Sequence, residues 1–246
     1  MNLNKKISLW LAEYLDSSKL SSFVVGISGG IDSALVSTLC AQTNKPVITA
    51  SLPLHQAKDQ LTRANKHIQW LKQNYSNVES IEIDLSNTFD SFKNLFDTKD
   101  DLGLANSKSR LRMTTLYYLA SIKIGLVVGT GNKVEDFGVG FFTKYGDGGV
   151  DISPIADLTK SEVRLMAKEL GIIEEILTAP PTDGLWEDNR TDEQQIGASY
   201  EELEYVMSYS GNLNSLSKRE KQVYDIYNKY HKKNKHKMVP IPVFKK

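Results

Sequence analysis

A glycine-rich run near the N-terminus carries the clearest chemical signal in this sequence. Gly26-Ile27-Ser28-Gly29-Gly30-Ile31-Asp32-Ser33 lies between a hydrophobic segment and an amphipathic one. Glycines let the backbone approach a ligand closely, and the N–H groups at the start of a following helix converge on one point. The hydroxyls of Ser28 and Ser33 add further donors. The run therefore predicts an anion site, with a plain tight turn between a strand and a helix as the alternative.

Asp32 narrows the kind of anion, because a carboxylate beside bound phosphates repels them unless a cation lies between. Mg²⁺ takes one or two carboxylates together with phosphate oxygens, so the run favours a nucleotide polyphosphate over a sulfate or a sugar phosphate. Alternatively, Asp32 is a first-turn carboxylate favoured by the helix dipole. The run is neither a Walker A loop nor a dinucleotide fingerprint, since Gly-Lys-Ser/Thr and G-x-G-x-x-G are both absent.

Alternating strand-like and helix-like segments must position this loop. Hydrophobic, β-branched runs predict strands at residues 23–27, 47–50, 81–83 and 125–129. Helical spacing of apolar residues predicts helices between them, including helices over about 85–96 and 107–124. Parallel strands need such crossovers, so we expect an α/β fold with a doubly wound, mostly parallel five-stranded sheet and helices on both faces. Ligands of such sheets bind at the carboxyl ends of the strands.

The part of the chain after Asp151 is predicted to be mainly helical. Thr159-Lys160-Ser161-Glu162 is typical of a capping box at the start of a helix. A lysine in the first turn opposes the helix dipole, so Lys160 should have an anionic partner nearby, and the polyphosphate is the expected one. Ala179–Gln194, with two prolines and mixed charges, predicts a long mobile loop.

Composition excludes several functional classes. The 246 residues contain 30 Lys and Arg against 30 Asp and Glu, so no global field favours binding to nucleic acid or to an anionic membrane. Cys40 is the single cysteine, which excludes an internal disulfide and a cysteine metal cluster. The sequence has neither a signal core nor a long apolar run. We expect one cytoplasmic domain over residues 1–246, with no nucleic-acid or membrane partner.

The glycine-rich run resembles the S-G-G-x-D-S pyrophosphate loop of the N-type ATP pyrophosphatases. These enzymes cleave ATP between its α- and β-phosphates to adenylate an oxygen, and then replace AMP with nitrogen or sulfur. The resemblance implies the adenine nucleotide alpha hydrolase-like fold. The loop alone does not choose among GMP synthetase, asparagine synthetase, tRNA-modifying members and NAD synthetase.

Three further segments resemble the ammonia-dependent NAD synthetases. They are Asn106–Met113, Gly129–Glu135 and Phe141–Gly149. With Leu158–Lys160, Pro181-Thr182 and His236-Lys237, the matches follow the order of that family from about residue 20 to 240. Glutamine-using relatives resemble this chain plus a large amidase domain, so the length implies free ammonia as the nitrogen source.

The resemblance assigns roles to individual residues. It implies ATP contacts for the run from Gly26 to Ser33 and for Thr130, Lys160 and Thr182. It implies Mg²⁺ ligands at Asp32 and Glu135. It implies deamido-NAD contacts for Arg110, Lys144, Asp151, His236 and Lys237.

Other interpretations of these residues stay open at this point. Arg110 lies beside a predicted buried stripe of Leu111, Thr115, Tyr118 and Ile122 and could be a surface arginine. Glu135 could be an ordinary solvated glutamate, and the basic run 229–237 is typical of a solvated tail. Two positions depart from the family: Ser109 stands where Ala is common, and the strand-end segment 50–53 lacks a frequent Arg. The second departure leaves open which side chain flanks the adenine.

The activity implied by the resemblance is ATP-dependent amidation of deamido-NAD with ammonia, which yields NAD, AMP and pyrophosphate through an adenylated intermediate. The family also implies a homodimer with the dinucleotide at the subunit interface. The alternatives are another adenylating amidoligase, a tRNA-modifying ATP pyrophosphatase, and a non-catalytic nucleotide-binding sensor.

Overall fold

The structure is a computed structural model that describes residues 2–98, 100–182 and 191–246. Its N-terminal part alternates α1 (Leu3–Ser18), β1 (Ser22–Gly26), α2 (Ile31–Ala41), β2 (Val47–Ser51), α3 (Lys58–Asn74), β3 (Val78–Glu82), α4 (Ser86–Lys93), α5 (Asp101–Lys123) and β4 (Gly125–Val127). There follow a π-helix (Lys133–Val139), α6 (Lys160–Glu169), α7 (Glu174–Leu177), α8 (Asp192–Ile196), α9 (Tyr200–Ser208), a 3₁₀ turn (Leu213–Ser215) and α10 (Lys218–Met238). No helix within the described ranges is long and apolar enough to cross a membrane.

The strands form one parallel sheet in the order β3-β2-β1-β4. β1 lies at its centre, with Phe23 opposite Val47 of β2 and Leu126 of β4. The strand count differs from the expected five, since the described residues give four strands. A single parallel bridge between Val128 and Ile152 occupies the fifth position, where the chain passes the sheet edge without continuing along it.

Helices cover both faces of this sheet, as the doubly wound prediction requires. Successive strand residues point to opposite faces. Phe23 and Val25 pack into a core with residues of α1, α2, α3 and α6, whereas Val24 packs into a second core with residues of α4 and α5. The carboxyl ends of the strands therefore meet at one edge, which is where the loops after β1, β2 and β4 come together.

A third core joins the π-helix to α8, α9 and α10, which confirms a helical C-terminal part. Residues 229–237, expected as a solvated tail, lie within α10. The inner face of α10 is held by hydrogen bonds from His231 Nδ1 to the Gly138 carbonyl (2.8 Å) and from Asn234 to the Val139 carbonyl (2.8 Å). These contacts anchor the end of the chain beside the π-helix.

Two local predictions need correction. Tyr118 and Ile122 of α5, expected in a buried stripe, are 66% and 56% exposed. Because α5 is apolar on more than one face, its periodicity does not select the face that packs on the sheet. The expected loop Ala179–Gln194 lies outside the described residues at 183–190, and its end is helical, since Thr191 and Gln194 form the capping box of α8.

Candidate active site

A cavity opens where the loops after β1, β2 and β4 meet. All residues from Gly26 to Ser33 line it, together with Thr130, Glu135, Lys160 and Thr182. The sequence predicted these residues as one ATP and metal set, and the structure brings them together from distant parts of the chain. Ala50, Leu52, Met113 and Leu116 form an apolar portion of the same wall.

Two serine hydroxyls hold the shape of the loop between β1 and α2. Ser28 Oγ and Ser33 Oγ lie 3.0 Å apart, and the N–H groups of Ser28 and Gly30 donate to Ser33 Oγ and Ser28 Oγ, each at 3.2 Å. Gly29 adopts a φ of +83°, and a Cβ there would lie 2.4 Å from the carbonyl oxygen of Gln60 on α3. The loop therefore requires glycine at this point. The first-turn N–H groups of α2 lack acceptors within their helix and can meet an anion in the cavity.

Lys160 lies at the centre of the charged part of the cavity. Its Nζ is 2.5 Å from Asp32 Oδ2 and 2.9 Å from Glu135 Oε1. Burial on its own lowers the pKa of Lys160, but the charges of the two carboxylates raise that pKa above its ordinary value, so the lysine stays protonated. The anionic partner predicted for this first-turn cation is, in this structure, a pair of the chain's own carboxylates.

Two neutral side chains fix the positions of these carboxylates. The fully buried Asn132 donates from Nδ2 to Asp32 Oδ1 (3.1 Å) and accepts the Glu135 N–H at Oδ1 (3.1 Å), which caps the π-helix. The Tyr200 hydroxyl donates to Glu135 Oε1 (2.6 Å). π-Helical segments occur frequently at functional sites, and this π-helix presents both Glu135 and Asp136 to the cavity.

The carboxylates of the cavity differ in their affinity for protons. Burial raises the pKa of Asp32 above its ordinary value. Burial acts on Glu135 in the same direction, but the charge of Lys160 and the Tyr200 hydroxyl bring the pKa of Glu135 below its ordinary value. Burial, followed by the charges of neighbouring carboxylates, raises the pKa of Asp136 well above its usual range. Glu135 is therefore the one of the three whose surroundings favour the charged form.

The charges of the described cavity residues do not by themselves attract a polyphosphate. Four basic side chains and five acidic ones line the cavity: Arg63, Arg112, Lys160 and Arg164, with Asp32, Glu135, Asp136, Asp147 and Asp192. Burial raises the pKa of Asp136 well above its usual range, but even so the basic side chains do not outnumber the acidic ones, and the wall offers a nucleotide triphosphate little excess of positive charge. A metal cation bound with the nucleotide reverses that balance.

The donor set fits Mg²⁺ bound together with a nucleotide. Asp32 and Glu135 both contact the ammonium of Lys160, so their carboxylates lie close enough together to share one cation. One or two carboxylates are what Mg²⁺ takes when phosphate oxygens and water complete its coordination. Within the described ranges, no three His, Cys, Asp or Glu side chains are grouped as a metal site of their own.

Most of the predicted deamido-NAD contacts form a second group outside this cavity lining. Arg110 Nη2 donates to the Lys144 carbonyl (3.4 Å), and Lys144 Nζ donates to the His236 carbonyl (2.7 Å). Lys237 Nζ donates to the Phe142 carbonyl (2.6 Å). The structure thus brings together α5, the loop after the π-helix and the end of α10, as a cluster of basic residues.

Asp151 is bound differently from the other predicted dinucleotide contacts. Its Oδ1 accepts a hydrogen bond from the Tyr117 hydroxyl (2.9 Å), and its Oδ2 accepts one from the Val127 N–H (2.8 Å). These bonds join α5 to β4. The role of Asp151 toward a ligand stays a prediction.

Ser109, a departure from the family pattern, ties the glycine-rich segment after the π-helix to α5. Its Oγ donates to Asp147 Oδ1 (2.7 Å) and accepts the Asp147 N–H (2.8 Å). The same carboxylate oxygen accepts the Thr143 N–H (2.9 Å). A serine here therefore fixes the segment that lies between the cavity and the basic cluster.

Sequence reasoning did not single out Arg112. Its Nε donates to the Leu52 carbonyl (3.2 Å) and its Nη2 to Gln56 Oε1 (2.9 Å), and burial lowers its pKa to about 10. Arg110 and Arg112 are two residues apart on α5 and so point to different sides, one toward the basic cluster and one into the cavity. Arg112 thus brings a guanidinium to the strand-end segment that lacks its own Arg.

Comparison with known proteins agrees with this architecture. The family model described as NAD synthase matches residues 3–240. The chain belongs to the NAD synthase family. The NH(3)-dependent NAD(+) synthetase of Carboxydothermus hydrogenoformans is 36% identical over 240 residues, which are 95% of this chain and 93% of that protein.

Solved structures of the family have the same fold. The NMN synthetase from Francisella tularensis is 29% identical, with a TM-score of 0.87, over 98% of this chain and 96% of that one. The NH3-dependent NAD synthetase from Campylobacter jejuni, in complex with the nitrate ion, is 27% identical, with a TM-score of 0.80, over the whole of both chains. The predicted family and the predicted doubly wound fold are confirmed.

Proposed function

We propose that this chain is an ammonia-dependent ligase that amidates deamido-NAD to NAD at the cost of ATP, which is cleaved to AMP and pyrophosphate. The observation that carries the proposal is the cavity in which a serine-glycine loop, Asp32 and Glu135 meet around Lys160. Membership of the NAD synthase family supports the substrate. Because ATP is the co-substrate, the cytoplasm is the proposed location.

The proposed reaction has two steps. A carboxylate oxygen of the nicotinate ring attacks the α-phosphorus of ATP, and the bond to the β-phosphate oxygen breaks to release pyrophosphate. Ammonia then attacks the carbonyl carbon of the acyl adenylate, the bond to AMP breaks, and the nitrogen loses one proton. Neither step demands a side-chain nucleophile, so catalysis depends on alignment and on neutralising the charge of the leaving group.

Specific residues of the cavity meet these two demands. We infer that the first-turn N–H groups of α2, Thr130, Thr182 and Lys160 bind the phosphates and hold the α-phosphorus in line. Asp32 and Glu135 would hold Mg²⁺, which neutralises charge on the leaving pyrophosphate. Asn132 and Tyr200 keep both carboxylates in place before the substrates arrive.

The basic cluster outside the cavity supports the proposed dinucleotide site. Arg110, Lys144 and Lys237 bring positive charge to one surface beside His236, which suits the two phosphates of deamido-NAD. The similarity to an NMN synthetase makes nicotinate mononucleotide the second candidate substrate, because amidation of that compound yields NMN by the same chemistry.

We also propose a homodimer, with the basic cluster at its subunit interface. The exposed apolar residues Tyr118, Ile122 and Ile124 follow Arg110 along α5 and its end, and Tyr145 lies beside Lys144. Tyr118 and Ile122, which the sequence predicts as buried but which are exposed in one chain, are typical of a surface that a partner covers.

The proposed activity is tested with purified chain, ATP, Mg²⁺ and ammonium. Deamido-NAD should give AMP and NAD in equal amounts, and nicotinate mononucleotide, assayed in parallel, should give a much lower kcat/KM. Ammonium should not be replaceable by glutamine. Binding of ATP without release of AMP would identify a nucleotide sensor, and a preference for the mononucleotide would identify the second candidate.

A variant of the metal ligand checks the site. Asp32→Ala should lower kcat by orders of magnitude, because the leaving pyrophosphate loses its neutralising cation. Asp16→Ala, which breaks the exposed ion pair with Lys45, is the matched control and should retain activity. Near-normal turnover by a folded Asp32→Ala protein would reject the assignment of the site.

A further inference from the structure

Helix α3 packs against the loop between β1 and α2, the phosphate loop (residues 26–33). The backbone of α3 lies so close to Gly29 that a Cβ there would approach the Gln60 carbonyl oxygen to 2.4 Å and the Ala64 nitrogen to 3.1 Å. On the same helix, Gln60 Nε2 lies 3.5 Å from Thr182 Oγ1. Side chains of α3 therefore reach both the loop and the proposed ATP residue Thr182.

Arg63 is the charged residue that α3 places at this position. Its Nε donates to the Gly29 carbonyl (3.4 Å), and the residue is part of the cavity lining beside the loop. The side chain is 16% exposed, whereas its ion-pair partner Asp59, 2.7 Å away, is 66% exposed. The partner therefore lies on the solvent side, and an exposed i,i+4 pair of this kind holds the arginine only weakly.

The other basic residues of the cavity are bound more firmly or lie elsewhere. Lys160 is held between Asp32 and Glu135. Arg112 is hydrogen-bonded at the end of β2, next to the apolar wall. Arg164 pairs with Glu201 and lies over the Tyr200 ring. Among the described residues that line the cavity, Arg63 is the basic side chain that contacts the loop backbone itself.

We propose that Arg63 binds the β- and γ-phosphates of ATP and stays with them as pyrophosphate leaves. This inference rests on the proposed function of the cavity and adds a residue to it. A guanidinium fits this task because its planar donors can bind two phosphate oxygens at once. The loop N–H groups and Arg63 would then hold the leaving group from two sides.

The test compares ligands with and without the phosphates concerned. Calorimetry with Mg²⁺ should show that Arg63→Gln weakens binding of α,β-methylene ATP at least tenfold and changes AMP binding less than twofold. Lys66→Gln removes a charge one turn further along α3, where Lys66 pairs with Glu175 outside the cavity, and should change neither affinity more than twofold. Arg63→Lys should recover part of the lost affinity.

A second measurement uses the unaltered chain. Phenylglyoxal modifies guanidinium groups, and Mg²⁺-pyrophosphate should slow modification of Arg63, read by mass spectrometry, at least fivefold, whereas AMP should slow it less than twofold. Equal losses for the ATP analogue and AMP in Arg63→Gln, or an unprotected Arg63, would overturn the proposal. Failure of the unaltered chain to bind the analogue at all would instead refute the nucleotide site, and with it the proposed function.

Discussion

Lys160 shows how a single buried cation organises the charged end of the cavity. Two carboxylates so close together repel each other unless a positive charge lies between them, and the lysine supplies that charge in the free protein. The same two carboxylates are the proposed Mg²⁺ ligands. The residue that stabilises the site without ligands therefore lies where phosphate and metal must meet, which accounts for a lysine in the first turn of α6.

His67 predicts how stability responds to acid. The side chain is fully buried, 3.0 Å from Ser37 Oγ of α2 and stacked on Trp70 of α3, and burial lowers its pKa from 6.5 to about 4. Between these two values the unfolded chain binds a proton that the folded chain excludes, so stability falls as the pH falls. Protonation of this histidine should cost about 2 kcal/mol of unfolding free energy on going from pH 7.5 to 5.

Urea unfolding of the unaltered chain and of His67→Gln at both pH values measures this contribution. The loss of stability between pH 7.5 and 5 should be smaller in His67→Gln by about 2 kcal/mol, because the variant has no proton to exclude. His55→Gln removes an exposed histidine and is the control. Equal losses in His67→Gln and the unaltered chain would show that His67 does not contribute to the pH dependence.

At the scale of elements, the contact between α3 and the phosphate loop leads to a matched pair of glycine substitutions. Gly29 and Gly171 both have positive φ, +83° and +71°. A Cβ at Gly29 would strike the α3 backbone, whereas nothing lies within 4 Å of one at Gly171. Gly29→Ala should therefore weaken binding of the ATP analogue at least tenfold. It should also lower the free energy of unfolding by more than the roughly 1–3 kcal/mol that a single strained residue costs.

Gly171→Ala, at the end of α6, isolates the effect of strain from that of the clash. It should destabilise the chain by about 1 kcal/mol and leave nucleotide affinity unchanged. Thermal unfolding and calorimetry give both quantities. If the two variants lost nucleotide affinity equally, the packing of α3 on the loop would not be what shapes the site.

Local signals account for the elements that the sequence predicted correctly. The glycine loop and the Thr159 capping box depend on neighbouring residues, so their types and spacing were sufficient. The π-helix and the cavity position of Arg63 depend on contacts between segments far apart in the chain, such as Asn132 with Asp32. No local pattern encodes those contacts. The number of strands was overestimated for the same reason. Whether a segment pairs along the edge of the sheet depends on its contacts with neighbouring segments and not on residue type alone.

At the scale of the whole molecule, α5 has two faces with different tasks. One face packs on the sheet through Leu119 and Ala120, and the other exposes Tyr118 and Ile122. The hydrophobic effect favours burial of such side chains in a partner. Arg110 lies further along the same helix, and we propose that a partner covering this surface also reaches the basic cluster, which would link assembly to binding of the dinucleotide.

Ile122→Asp tests that link, since a charge at the centre of the proposed interface opposes its burial. Sedimentation equilibrium should show a dimer for the unaltered chain and a monomer for Ile122→Asp, with KM for deamido-NAD raised at least tenfold. Binding of the ATP analogue should change little, because the cavity is lined from other sides of α5. Leu165→Asp, which alters an exposed leucine of α6, is the control and should remain dimeric. A monomeric unaltered chain with full activity would show that one subunit carries the complete site.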